Sequence, residues 1–175
     1  GARFNTAPFE RDTEICGPLK AKLQLSCSMP DMDIFCTVLG FDSNGKEISF
    51  AANEGRIPLS QGWLRVTQRK LDPARSSDWQ PVHRFDERVP LKPGEVVEAE
   101  VEIWPTGVLM PKGSRLTLIL QGQDYMGTGA PQTSTSNAFT HTDPVDRPPE
   151  KYSGTHTIHT GGGREDRKST RLNSS

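Results

Sequence analysis

Residues 97–103, Val97-Glu98-Ala99-Glu100-Val101-Glu102-Ile103, carry an apolar side chain at every odd position and a glutamate at every even one. Successive side chains of a strand point to opposite faces. This period of two therefore defines a half-buried β-strand, with Val97, Ala99, Val101 and Ile103 inward and three solvated glutamates outward. Lys92-Pro93-Gly94-Glu95 introduces the strand as a turn. Trp104-Pro105-Thr106-Gly107 is expected to stop it, because proline cannot donate to a ladder. Lys112-Gly113-Ser114 then turns the chain into Arg115-Leu116-Thr117-Leu118-Ile119-Leu120-Gln121, a second strand expected to pair with or stack on the first.

The same reading extends toward the N-terminus. Leu19, Ala21, Leu23, Leu25 and Cys27 alternate with Lys20, Lys22, Gln24 and Ser26, another strand with one wet face. Residues 33–41 are apolar on both faces and suit a central strand covered on both sides. Asp42-Ser43-Asn44-Gly45 follows as a hairpin turn, whose Asn and Gly tolerate positive φ, and leads into Glu47-Ile48-Ser49-Phe50. Residues 62–71 form a further candidate strand, with Trp63, Arg65, Thr67 and Arg69 on one face and Leu64, Val66 and Gln68 on the other. Residues 74–90 and 122–154 have no period and read as long loops, and Tyr152 to His159 recovers a weak strand. No run of a dozen residues has helical spacing of its apolar positions. Short strands and long loops in one domain indicate an all-β sandwich or jelly roll.

Composition bounds the function. The chain of 175 residues suits one domain with a single core. Glycine and proline together make about a sixth of it, above average usage, as expected of a turn-rich domain. Lys plus Arg number 21 and Asp plus Glu 22, so the basic excess that gathers nucleic acid is absent. Apolar runs such as Leu118-Ile119-Leu120 fall far below the roughly 20 residues that cross a bilayer as a helix. Cys16, Cys27 and Cys36 have no C-x-x-C spacing and each lies in an apolar or alternating stretch, which reads as three small buried thiols. The start, Gly1-Ala2-Arg3-Phe4, has neither Met nor an apolar leader and reads as internal to a longer product.

The last ten residues, Asp166 to Ser175, carry no hydrophobic period. The codon string GAT CGG AAG AGC ACA CGT CTG AAC TCC AGT encodes them in order and resembles a sequencing-library adapter read in frame. Residues 166–175 are accordingly expected to be a disordered tail and residues 1–165 the domain. Without the tail Lys plus Arg falls to 18 and Asp plus Glu to 21, a net charge of −3.

Catalytic and metal motifs are weak. No serine has glycine two residues to either side, as a hydrolase elbow needs. His156 and His159, three apart in a strand, point to opposite faces and cannot share a metal. Asp31-Met32-Asp33 lacks the third oxygen ligand and the glycine of a calcium loop and reads as a turn or strand entry. Trp63, Trp79, Trp104 and Tyr125 suggest a sugar-stacking platform, although Trp63 and Trp104 sit within strand patterns and read first as core anchors.

Seven segments occur in an order that resembles one family. They are Thr13-Glu14-Ile15-Cys16-Gly17-Pro18-Leu19-Lys20, Pro30-Asp31-Met32-Asp33-Ile34-Phe35, Gly62-Trp63-Leu64-Arg65, Pro90-Leu91-Lys92-Pro93-Gly94-Glu95, Glu102-Ile103-Trp104-Pro105-Thr106, Lys112-Gly113-Ser114-Arg115-Leu116 and His156-Thr157-Ile158-His159-Thr160-Gly161-Gly162. Together they resemble the C-terminal domain of X-Pro dipeptidyl-peptidases and cocaine-esterase-like acyl hydrolases, across roughly residues 4–163. The resemblance implies a galactose-binding-domain-like jelly roll, truncated at both ends. Its partners would be the α/β-hydrolase and cap domains upstream in the same parent chain. It implies a parent serine hydrolase whose Ser, Asp and His triad lies upstream, so no catalytic, cofactor or metal residue is assigned here. The domain would brace the hydrolase and help wall its acyl or X-Pro pocket, with Trp79 and Tyr125 as interface or pocket-wall candidates. Two other classes stay open: an independent carbohydrate-binding module, which needs exposed coplanar aromatics, and a structural oligomerisation domain.

Overall fold

The computed structural model describes residues 1–52, 55–125, 145–160 and 169–173, with the backbone alone for 51–52, 55–56 and 169–173. The chain runs β1 (Ala2–Asn5), β2 (Thr13–Cys27), β3 (Asp33–Phe41), β4 (Glu47–Ile48), β5 (Phe50–Ala52), β6 (Gly55–Ile57) and β7 (Ser60–Arg65). It continues through β8 (Val97–Met110), β9 (Arg115–Gln121), one helical turn α1 (Pro149–Tyr152), β10 (Thr155–His159) and β11 (Ser169–Asn173). Sheet I has the order β1-β9-β3, with β4 and β7 along the far side of β3. Sheet II has the order β11-β10-β2-β8, and β5 pairs with β6 in a hairpin of their own. All pairs are antiparallel. The all-β jelly-roll sandwich expected from the alternation is thus the fold.

The core lies between the sheets where the apolar phases meet. Sheet II contributes Ala21, Leu23, Leu25, Val97, Ala99, Val101 and Ile103, and sheet I contributes Ile34, Cys36, Val38, Leu64 and Leu120. The strands 97–103 and 115–121 stack across this core, one in each sheet. On the outer face of sheet II the glutamates are held by the strand opposite. Lys20 Nζ lies 2.9 Å from Glu100, Lys22 Nζ 2.9 Å from Glu98, and Gln24 donates to Glu98 at 2.9 Å. These carboxylates raise the Lys22 ammonium above its ordinary value, its hydrogen bond to Glu98 first. Strand β3 is buried on both faces along most of its length, as its doubly apolar sequence requires. The turn after it is closed by Asp42, whose Oδ1 accepts the N–H groups of Asn44 and Lys46 at 2.8 and 2.9 Å, while Gly45 takes φ of 81°.

Four expectations are corrected. Strand β8 does not stop at Trp104-Pro105 but runs to Met110. Gly17 pairs with Thr106 and Leu19 with Ile103, so Trp104 and Pro105 together oppose Pro18 alone. Pro105 falls in this bulge, where its missing N–H takes no ladder bond away. The strand expected over 62–71 ends at Arg65 and becomes a 3₁₀ turn at Val66–Gln68, because the buried Asp31 carboxylate draws in the Thr67 N–H and hydroxyl at 3.3 and 2.9 Å. Thr67 is consequently buried instead of sharing the outer face of Trp63. Cys16 is exposed, since it lies on the outer phase of β2, whereas Cys27 and Cys36 are buried as expected. Trp63 and Trp104 are not core anchors: they are 38% and 59% exposed. The backbone of residues 169–173 lies antiparallel on β10, with His159 opposite Ser169 and Thr155 opposite Asn173. That pairing needs only the backbone groups of the β10 edge. Most of the loop expected over 122–154, residues 126–144, lies outside the described residues.

Candidate functional site

The two sheets meet along one side, where the edge strands β7 and β8 touch. Gly62 makes the approach possible: a Cβ there would stand 1.9 Å from the Glu102 carbonyl oxygen. The Ser60 hydroxyl donates to the Trp104 carbonyl at the same seam. The closeness brings together two tryptophans from the outer faces of different sheets, Trp63 and Trp104, with ring centroids 5.2 Å apart and planes tilted by 57°. Gln80 Nε2 donates to Glu102 Oε1 at 3.0 Å and ties the long loop carrying Trp79 to the seam. Trp79 is 62% exposed.

Beside the seam, on the outer face of sheet I, opens a cleft of about 480 Å³. Phe35, Trp63, Phe85, Arg65, Arg88 and Arg147 line much of it. Phe85 is 68% exposed and takes φ of 56°, a left-handed conformation that bulky side chains rarely adopt. The floor is organised by two carboxylates at the entry to β3. Asp33 accepts Arg65 Nε and Nη2 at 3.0 and 3.3 Å and Arg147 Nε at 2.5 Å. The hydrogen bond to Asp33 raises Arg65 above its usual range. The Arg147 guanidinium lies over the Phe35 ring, and that of Arg65 over Tyr152. Asp31 accepts the Met32 N–H at 2.8 Å, both donors of Thr67, and the Tyr152 hydroxyl at 3.1 Å. Burial, with the Asp31 carboxylate beside it, pushes the Tyr152 hydroxyl up to about 12. These bonds fasten residues 146–152 across the end of sheet I.

The remaining candidates are dispersed. Tyr125 is half-buried just beyond β9, its N–H bonded to Asp124 Oδ1 at 2.9 Å, and neither it nor Trp79 lines the cleft. His156 faces the core, where burial lowers its pKa below the usual value, while His159 meets the Ser26 hydroxyl at 2.8 Å on the other face. Sequence reading missed Phe85, Arg88 and Arg147 as surface-forming residues. For Trp63 and Trp104 the signal is in the sequence: both stand on the polar phase of their strands, with Arg65 and with the glutamates.

Fold and surface together define a jelly-roll β-sandwich module whose prominent feature is an exposed aromatic and arginine face at a seam between its sheets. The chain belongs to the family of the X-Pro dipeptidyl-peptidase C-terminal non-catalytic domain, whose model matches residues 1–167. It is similar to a CocE/NonD family hydrolase from Staphylococcus aureus in two crystal structures, at 29% identity and a TM-score of 0.75 in each. The matches cover 92% and 98% of this chain but only 28% and 30% of the Staphylococcus chain. No curated protein matches.

Proposed function

We propose that the domain braces the α/β-hydrolase domain of a parent serine hydrolase, of the X-Pro dipeptidyl-peptidase or acyl-esterase type, and helps wall its substrate pocket. The observation that carries this reading is the exposed Trp63–Trp104 pair beside the Arg65, Arg88 and Arg147 cleft. Tryptophan and arginine are the residues on which interface energy concentrates, and two large aromatic rings left exposed side by side are the kind of patch that a partner surface covers. Phe85 on the long loop lines the same cleft, the loop also carries exposed Trp79, and Trp79 and Tyr125 are the proposed pocket-wall residues. Catalysis in the parent would then rest on a Ser, His and Asp set in the upstream domain, with this chain contributing none of it.

In the parent polypeptide, replacing Trp63 and Trp104 together by alanine is expected to raise KM and to separate the unfolding of this domain from that of the hydrolase domain. The chain by itself is expected to turn over neither an acyl ester nor an X-Pro anilide. Turnover by the chain alone, or a parent double variant with unchanged kinetics and one unchanged unfolding transition, would overturn the proposal. The carbohydrate-binding alternative gains from the exposure of both tryptophans, but their 57° tilt does not supply the flat platform that stacking on a sugar face needs.

A further inference from the structure

At the other end of β3 from the aromatic cleft, sheet I has a second concavity, of about 450 Å³. Its lining includes Arg3 and Asn5 of β1, Arg115 of β9, and Phe41, Ser43 and Asn44 at the β3 hairpin. The register explains the convergence: Asn5 stands opposite Thr117 and Arg115 opposite Phe41, and alternate residues of adjoining strands share one outer face.

The charge of this cleft's lining is one-sided. Neither Arg3 nor Arg115 forms an ion pair among the described residues, in contrast to Arg65 and Arg147, which Asp33 neutralises in the same sheet. The Arg3 guanidinium rests 6.0 Å from the centroid of the Phe41 ring. Arg115 Nε is buried and has no acceptor among the described residues. The Thr117 hydroxyl donates to Asn5 Oδ1 at 2.7 Å, which occupies the amide's acceptor and leaves its N–H groups as donors. No lining residue bears a carboxylate. The nearby Asp42 turns its Oδ1 to the N–H groups of its own hairpin. A desolvated guanidinium N–H without an acceptor is unfavourable, and two guanidinium forks with an amide match the several acceptor oxygens of one small anion.

We propose that this concavity binds an oxyanion, a phosphate or carboxylate group, between Arg3 and Arg115. The site is independent of the docking surface at the seam. The test is calorimetric titration of the full chain with sodium phosphate and, separately, sodium acetate, at ionic strength held constant with sodium chloride. At least one anion is expected to bind saturably at one site in the millimolar range, and which one binds distinguishes the phosphate source from the carboxylate source. Arg115→Gln is expected to weaken binding by about tenfold or more, the scale of a charge-assisted hydrogen bond. Arg115→Lys keeps the charge but loses the fork and is expected to weaken it too, whereas Lys46→Gln on the same hairpin leaves it unchanged. Arg3→Gln, at an exposed position of an edge strand, repeats the test without disturbing half-buried Arg115. Heats that never saturate for either anion, or a saturable site that persists in Arg3→Gln and Arg115→Lys, would overturn the proposal.

Discussion

Replacing Gly62 by alanine tests the seam directly. The added Cβ would stand 1.9 Å from the Glu102 carbonyl oxygen, 2.8 Å from its carbon and 2.9 Å from Ile103 Cα, all backbone atoms that cannot rotate away. Reaching even 3.0 Å from the oxygen requires β7 and β8 to separate by about 1 Å, against the packing of Leu64 and Ile103 into the shared core. Overpacking of this kind costs about 1–3 kcal/mol. Loss of the bond from the Ser60 hydroxyl to the Trp104 carbonyl adds about 1 kcal/mol, and parting the Trp63–Trp104 rings about 0.5–1.5 kcal/mol. The expected destabilisation is roughly 3–5 kcal/mol, a large part of the stability of an ordinary domain. Urea unfolding followed by tryptophan fluorescence would register it as a fall in midpoint at unchanged slope. Gly107→Ala is the control, because a Cβ there meets nothing within 4 Å and its change should stay within about 0.5 kcal/mol. A Gly62→Ala chain as stable as the Gly107→Ala chain would refute the close approach of the two edge strands.

Other outcomes follow from the same structure. With a thiol reagent at neutral pH, exposed Cys16 should react rapidly while buried Cys27 and Cys36, the latter pushed up to about 12 by burial, stay unmodified until the chain unfolds; three rapid equivalents would contradict the packing. Asp33→Ala strands the Arg65 and Arg147 guanidiniums without their shared acceptor and should cost about 2–4 kcal/mol, discounted for their partial exposure, as read by urea midpoint. His156 is lowered below its unfolded value of 6.5 by burial, so between those two values the unfolded chain holds more protons and stability must fall as pH drops through 6.5. His83 is lowered for the same reason and adds to the slope, so His156→Met should flatten the decline between pH 7.5 and 5 without abolishing it, and an unchanged slope would show that His156 is not the group responsible.

The parts of the fold visible in the sequence are those carried by neighbours along one strand. Residues 33–41 and 115–121 form β3 and β9 at the boundaries their patterns suggest, and the inward set Val97, Ala99, Val101 and Ile103 is the set that reaches the core. The misreadings share a cause. Pro105 was expected to end β8 because a proline removes a donor, but whether that donor is needed depends on Pro18, far away in sequence, which opposes the bulge. The end of β7 depends likewise on the Asp31 carboxylate, 36 residues before Thr67. Of the candidate site, Trp63 and Trp104 were legible as aromatics on the polar phase of their strands, whereas their meeting at the seam was not. The site's arginine pairs join positions 32 and 114 residues apart, with no local pattern to announce them.

Alternation by itself determined that this chain is an all-β sandwich and which side chains of its long strands face inward, since the two-residue period of a strand is a property of each segment alone. The ordered motifs by themselves pointed to the family. Tertiary structure decided which strands become edges, and with them the seam at Gly62, the meeting of Trp63 with Trp104, the clasp of Asp33 on Arg65 and Arg147, and the convergence of Arg3 and Arg115 on one concavity. Those contacts exist only once separate segments are packed within a few ångströms of each other. Their energies depend on burial and partners that no single stretch of sequence contains.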